Sequence, residues 1–170
     1  MARRLAGLDA DGFSLVELMT ALAVLAILVG LAIPAFDNFI LSTRLRTYAN
    51  DFAASVQLAR GEAKKRNAVV TLCPSSNGSS CANSTNWAQG WIVLSGSSVL
   101  RHRQATASGY QMSSAVTALS FQPSGFGSTQ TTLLVCRASP VGSQEREVSV
   151  SATGRTRVKK TSAGSCPTGS

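Results

Sequence analysis

Three groups of residues in this chain could do chemistry. Glu17 is a lone carboxylate near the start of the apolar run from Gly12 to Phe36, GFSLVELMTALAVLAILVGLAIPAF. An ionisable group inside such a run is costly unless a partner or a function accounts for it, so its chemistry is charge pairing. The second group is SATGRTRVKK, Ser151 to Lys160, where Gly154 offers a turn and Arg155, Arg157, Lys159 and Lys160 follow. Clustered cations of this kind bind anions. The third group is Cys73, Cys81, Cys136 and Cys166, which could form disulfides or hold a metal.

Different elements must position each group. Roughly 20 apolar residues suffice to cross a bilayer as a helix, which predicts a membrane-spanning helix over 13–36. Before it lies MARRLAGLDADG, residues 1–12, whose Arg3 and Arg4 mark the cytoplasmic side. No A-x-A-like site follows a short apolar region, as it would in a secretory signal, and the span continues through Pro34 into a polar helix. Processing is therefore expected before the apolar run, with 1–12 as a leader. A snorkelling acid at the membrane edge is the plain alternative for Glu17.

From Phe39 the pattern becomes amphipathic. Leu41, Leu45, Tyr48, Phe52, Val56, Ala59 and Ala63 recur at steps of three or four, which predicts an apolar stripe on a helix over 37–66. Lys64, Lys65 and Arg66 at its end suit the negative end of the helix dipole. After Asn67 the period is that of strands: Val69 to Cys73, Gly90 to Leu94, Val99 to Arg103, Val116 to Phe121, Thr131 to Cys136 and Glu145 to Ser151, separated by Gly, Ser, Pro and Asn clusters. The expected fold is α+β, an N-terminal helix packed on an antiparallel sheet, with 67–170 as one β-rich extracytoplasmic domain. Trp87 and Trp91 read as core or edge packing, and His102 as an exposed polar residue.

Four cysteines on the far side of a membrane from a basic leader meet oxidising conditions. Of the three possible connectivities, the shortest loops favour Cys73 to Cys81 and Cys136 to Cys166. A zinc site competes, but no C-x₂₋₄-C spacing occurs and His102 is the only histidine, so neither a metal nor a cofactor is expected. One histidine and few carboxylates likewise provide no general-base and nucleophile set, which argues against an enzyme. The formal net charge is +8, and beyond residue 40 fourteen cations stand against four anions. That imbalance suits a polyanionic partner. In an extended strand Arg155, Arg157 and Lys159 would share one face at spacings of about 6 to 7 Å, near that of successive phosphates. A solvated basic tail is the bland reading of the same residues.

Gly12, Phe13 and Glu17 stand as the cleavage glycine, first mature residue and fifth-position glutamate of type IV pilins and their pseudopilin relatives, and Pro34 falls where those proteins carry a helix-kinking proline. The chain resembles that superfamily, departing from it at Asp9 and Asp11, where many relatives have Lys or Arg. Further segments, RGEAKKRNAVVTLCPS, WAQGWIVL, LSFQPSGFGSTQTTLLVC and EREVSVSATGRTRVKK, are similar to the FimT/GspH branch. The resemblance implies cleavage by prepilin peptidase between Gly12 and Phe13. It also implies an inner-membrane subunit with a periplasmic C-terminus that later joins a surface pilus. In a filament Glu17 would meet the new α-amino group of a neighbouring subunit's Phe13, which removes the penalty of a buried acid.

The G-R-T-R portion resembles the GRxR motif through which FimT-type pilins take up DNA in natural transformation. Two functions are thereby expected: a minor pilin binding DNA without sequence preference, or a structural minor pilin or type II secretion pseudopilin that primes assembly.

Overall fold

In the computed structural model, residues 12–127, 129–162, 164 and 166 are described, those at 31–35 by backbone alone. The leader expected over 1–12 lies outside the described residues apart from Gly12. The chain divides into two compact units, Met1–Asn38 and Phe39–Ser170. Helix α1, Leu15–Arg66, begins in the first and ends in the second.

In the first unit every residue from 12 to 30 is exposed. Phe13 is 81% exposed, and Leu15, Leu18, Leu22 and Leu25 are all more than half exposed. A helix apolar on all sides cannot satisfy itself and calls for lipid or other helices. The membrane-crossing segment expected over 13–36 is not met by the described residues, among which no helix is long and apolar enough to cross a membrane.

In the second unit α1 lays a fully buried stripe of Leu41, Leu45, Ala49, Phe52, Val56, Ala59 and Ala63 into the core. Its end is a Schellman motif: Asn67 takes the left-handed conformation (φ 50°), Ala68 N–H donates to Ala63 O (3.2 Å) and Asn67 N–H to Lys64 O (3.4 Å). The carbonyls of Ala63 and Lys64 in the last turn are thereby satisfied.

Eight strands follow: β1 Val70–Pro74, β2 Trp91–Ser95, β3 Ser98–Arg103, β4 Tyr110–Ser114, β5 Leu119–Phe121, β6 Thr131–Arg137, β7 Gln144–Val150 and β8 Thr156–Ser162. They form two four-stranded antiparallel sheets, in orders β3-β2-β1-β5 and β4-β6-β7-β8. One antiparallel sheet was the sequence expectation. Two arise because β4 pairs with β6, Met112 opposite Val135, and β1 pairs with β5, Leu72 opposite Leu119.

Both sheets contribute to one core with the helix. Trp91 and Val93 enter it from the first sheet, and Met112, Leu133, Val135 and Val148 from the second. Phe52 meets Trp87 and Trp91 edge-on at 5.2 and 6.0 Å. The two indoles place their N–H groups differently. Trp91 Nε1 donates to Ser55 Oγ (2.9 Å) inside the core, and Trp87 Nε1 donates to the Val116 carbonyl (3.2 Å).

Candidate nucleic-acid interface

Gly12 and Phe13 precede α1, and Glu17 lies in its first turn, exposed. Phe13 and Glu17 line the same side of the helix as Thr20, Val24 and Leu28. An exposed acid on an apolar helix is open to a cation supplied by another chain. Position 34 is helical, and the Pro34 side chain lies outside the described residues.

Both cysteine pairs are disulfides, Cys73 with Cys81 and Cys136 with Cys166. Each covers the outer face of one sheet. Cys73 is opposite Ile92, and Ile92 is opposite His102, so the Cys73–Cys81 loop lies over that face and Gly78 abuts the His102 ring. Asn77 braces this loop by accepting from Ser79 N–H and Ser80 N–H, both at 3.0 Å. On the second sheet the chain returns from β8 across β7 to Cys136, and Gly164 N–H donates to Glu145 Oε1 (2.9 Å) on the way.

The basic residues sit on the β7–β8 hairpin, with β8 as an edge strand. Ser151 and Arg155 close its turn: Ser151 N–H donates to Arg155 O (3.0 Å) and Arg155 N–H to Ser151 Oγ (3.1 Å). Gly154 has φ +71° and is buried, and a Cβ there would stand 2.9 Å from Arg60 Cδ and 3.0 Å from Phe121 Cε1. Both conformation and space therefore require glycine. Gln57 of α1 secures the turn by donating to Gly154 O (3.1 Å) and Thr156 Oγ1 (3.2 Å).

Arg155 and Arg157, both exposed, line one open groove of about 890 Å³ with Gln130, Thr132, Ser149 and Ser151. Lys159 lies further along the strand, register-paired with Glu147, which weakens the field there. Lys160 pairs with Arg146 and, by the pleat, occupies the opposite face. The groove thus unites Arg155 and Arg157, while Lys159 and Lys160 stand apart from it.

Several participants carry no local sequence signal. Arg60 Nε donates to Gly125 O (3.1 Å), and Lys64 lies across Gly125, so the end of α1 supports the 122–127 turn. That turn joins the basic hairpin through Gly127 N–H to Ala152 O (2.7 Å). Arg146, buried in β7, donates to Gln144 Oε1, Glu145 O and Ser42 Oγ. Burial, with Arg46 adding repulsion, lowers its pKa from the ordinary arginine value. The i, i+4 spacing of Arg60 and Lys64 was readable, but the turns they reach come from residues far away in sequence.

Residues 48–154 match the family described as type II transport protein GspH, and residues 9–33 match the prokaryotic N-terminal methylation motif. The chain belongs to the FimT/GspH family of type IV minor pilins and pseudopilins. No curated protein matches this family member in sequence. Its fold is similar to two crystal forms of the type IV minor pilin FimU from Pseudomonas aeruginosa. These are 21% identical with TM-scores of 0.54 and 0.56, and cover 68% and 71% of this chain and 92% of FimU. The minor pseudopilin EpsH from the type 2 secretion system of Vibrio cholerae is 14% identical with a TM-score of 0.48, covering 68% of this chain and 96% of EpsH. A FimT/GspH subunit is a minor pilin or pseudopilin.

Proposed function

We propose that this minor pilin captures DNA without sequence preference and presents it for uptake in natural transformation. The observation that carries the reading is the groove in which Arg155 and Arg157 stand together on a hairpin fixed by Gly154 and Gln57. Two cations spaced along an exposed edge suit backbone phosphates, and phosphate contacts carry no sequence information.

The apolar segment keeps the subunit in the inner membrane with its C-terminus periplasmic. Prepilin peptidase cleaves after Gly12 and leaves Phe13 as the new N-terminus. Glu17 then pairs with the α-amino group of a neighbouring subunit during assembly, with Pro34 shaping the packed helix, and the subunit reaches the cell surface in the pilus.

The test is a titration of the full chain in detergent with DNA of several sequences. All should bind, with log affinity falling against log salt by roughly 0.9 per neutralised phosphate. Arg155→Gln with Arg157→Gln should weaken binding to every sequence alike, lower the salt slope by about 2 and leave the fold unchanged. A wild-type chain that ignores DNA at low salt sinks the reading. It would favour a structural role in a type II secretion pseudopilus, which the GspH match over residues 48–154 supports.

A further inference from the structure

Phe126 stands beside the basic hairpin and is 56% exposed, although burial would favour so large an apolar side chain. The turn that carries it is fastened on every side. Phe126 O accepts from Gln122 N–H (2.9 Å), Gly125 N–H donates to Gln122 O (2.7 Å), and Gly127 N–H donates to Ala152 O (2.7 Å) in the turn that ends at Arg155. Arg60 holds Gly125 O from below. Gly125 has φ +81°, a left-handed conformation that favours glycine before the phenyl ring, and the Lys64 side chain lies against it. Phe126 therefore stands exposed in a braced turn whose Gly125 packs against Lys64 and whose Gly127 is hydrogen-bonded to the turn leading into Arg155.

An exposed aromatic in a turn fastened to a basic hairpin suits single-stranded nucleic acid, with phosphates meeting the cations and a base stacking on the ring. Duplex DNA keeps its bases stacked on one another and offers no free face. We infer that Phe126 is a base-stacking platform and that this subunit binds single strands, or frayed ends, more tightly than duplex. The inference rests on the proposed DNA-binding role of Arg155 and Arg157 and adds a preference to it.

The experiment compares the full chain in detergent with its Phe126→Ala and Phe126→Trp variants on a mixed-sequence single strand, the matching duplex and an abasic strand of equal length. Phe126→Ala should weaken single-strand binding by about 5- to 150-fold, the range of one base–aromatic stack, and leave duplex and abasic binding unchanged. Phe126→Trp should restore single-strand affinity, its indole emission being quenched on binding. If Phe126→Ala binds the single strand as wild type does, the stacking role is overturned while the basic groove stands. A wild-type chain that binds none of the three overturns the groove as well. Should Phe126→Ala bind strands normally yet enter filaments poorly, the ring is a subunit contact and the inference fails.

Discussion

The two sheets dock on the same helix by different means. The first drives aromatic side chains into the core, Trp91 against Phe52 with its N–H on Ser55, and adds the Arg103–Asp51 ion pair. The second contributes Tyr110, edge-on to Tyr48 of α1, with Met112, Leu133, Val135 and Val148, and is tied to α1 by polar tethers, Arg146 to Ser42 and Gln57 to Gly154. Their disulfides differ in the same way. Cys73 and Cys81 are 8 residues apart and close a loop that Asn77 already braces, whereas Cys136 and Cys166 are 30 apart and enclose all of β7 and β8. The first sheet meets α1 through its largest buried aromatic and an ion pair. The second leaves an edge free to carry charge.

Replacing Trp91 with Ala should do the most damage, about 3 to 5 kcal/mol by denaturant unfolding, because it opens a cavity against Phe52 and removes the donor to Ser55 Oγ, which keeps only its own bond to Asp51 O. A loss below about 1 kcal/mol would end the view that the first sheet anchors the fold. Next come the disulfides. Cys136→Ser with Cys166→Ser should cost about 3.6 kcal/mol and also weaken DNA binding, while Cys73→Ser with Cys81→Ser should cost about 2.5 kcal/mol and leave binding alone. Equal effects of the two pairs on binding would erase the distinction between the straps.

The smallest effect belongs to Glu62. Its hydrogen bond from Arg66 holds its carboxyl below the usual range against the opposing effect of burial, with smaller help from the Lys65 and Arg66 charges. A depressed folded-state pKa contributes stability above the unfolded value and loses it as pH falls through the folded one. Glu62→Gln should therefore be slightly less stable than wild type at neutral pH, the gap closing as acid protonates the carboxyl. A gap that persists at low pH would assign the effect to packing instead.

Much of the fold was legible in local pattern. The stripe from Leu41 to Ala63 sits in the core, with Ala49 taking the fully buried place expected for the half-buried Tyr48. Strands rich in Val, Ile and Leu were found within a residue or two, except that Val116 to Phe121 shortens to Leu119–Phe121. β4 was missed because YQMSS has no β-branched residue, yet Tyr110, Met112 and Ser114 alternate inward against β6. The basic segment was readable as an extended run. What sequence could not supply was register: Glu147 opposite Lys159, and Arg146 opposite Lys160, divide cations that look continuous along the chain. Arg60, Lys64 and Phe126 were hidden for the same reason, since their meeting depends on chain closure over more than 60 residues.

The bare, oily N-terminal stretch has one more consequence. With every residue from 12 to 30 facing outward, the subunit has no form in which that stretch tolerates water alone. Its traffic must then be a relay, the next holder gripping before the previous one lets go. A purified chain kept without amphiphile should clump rather than persist as single molecules, which light scattering would reveal.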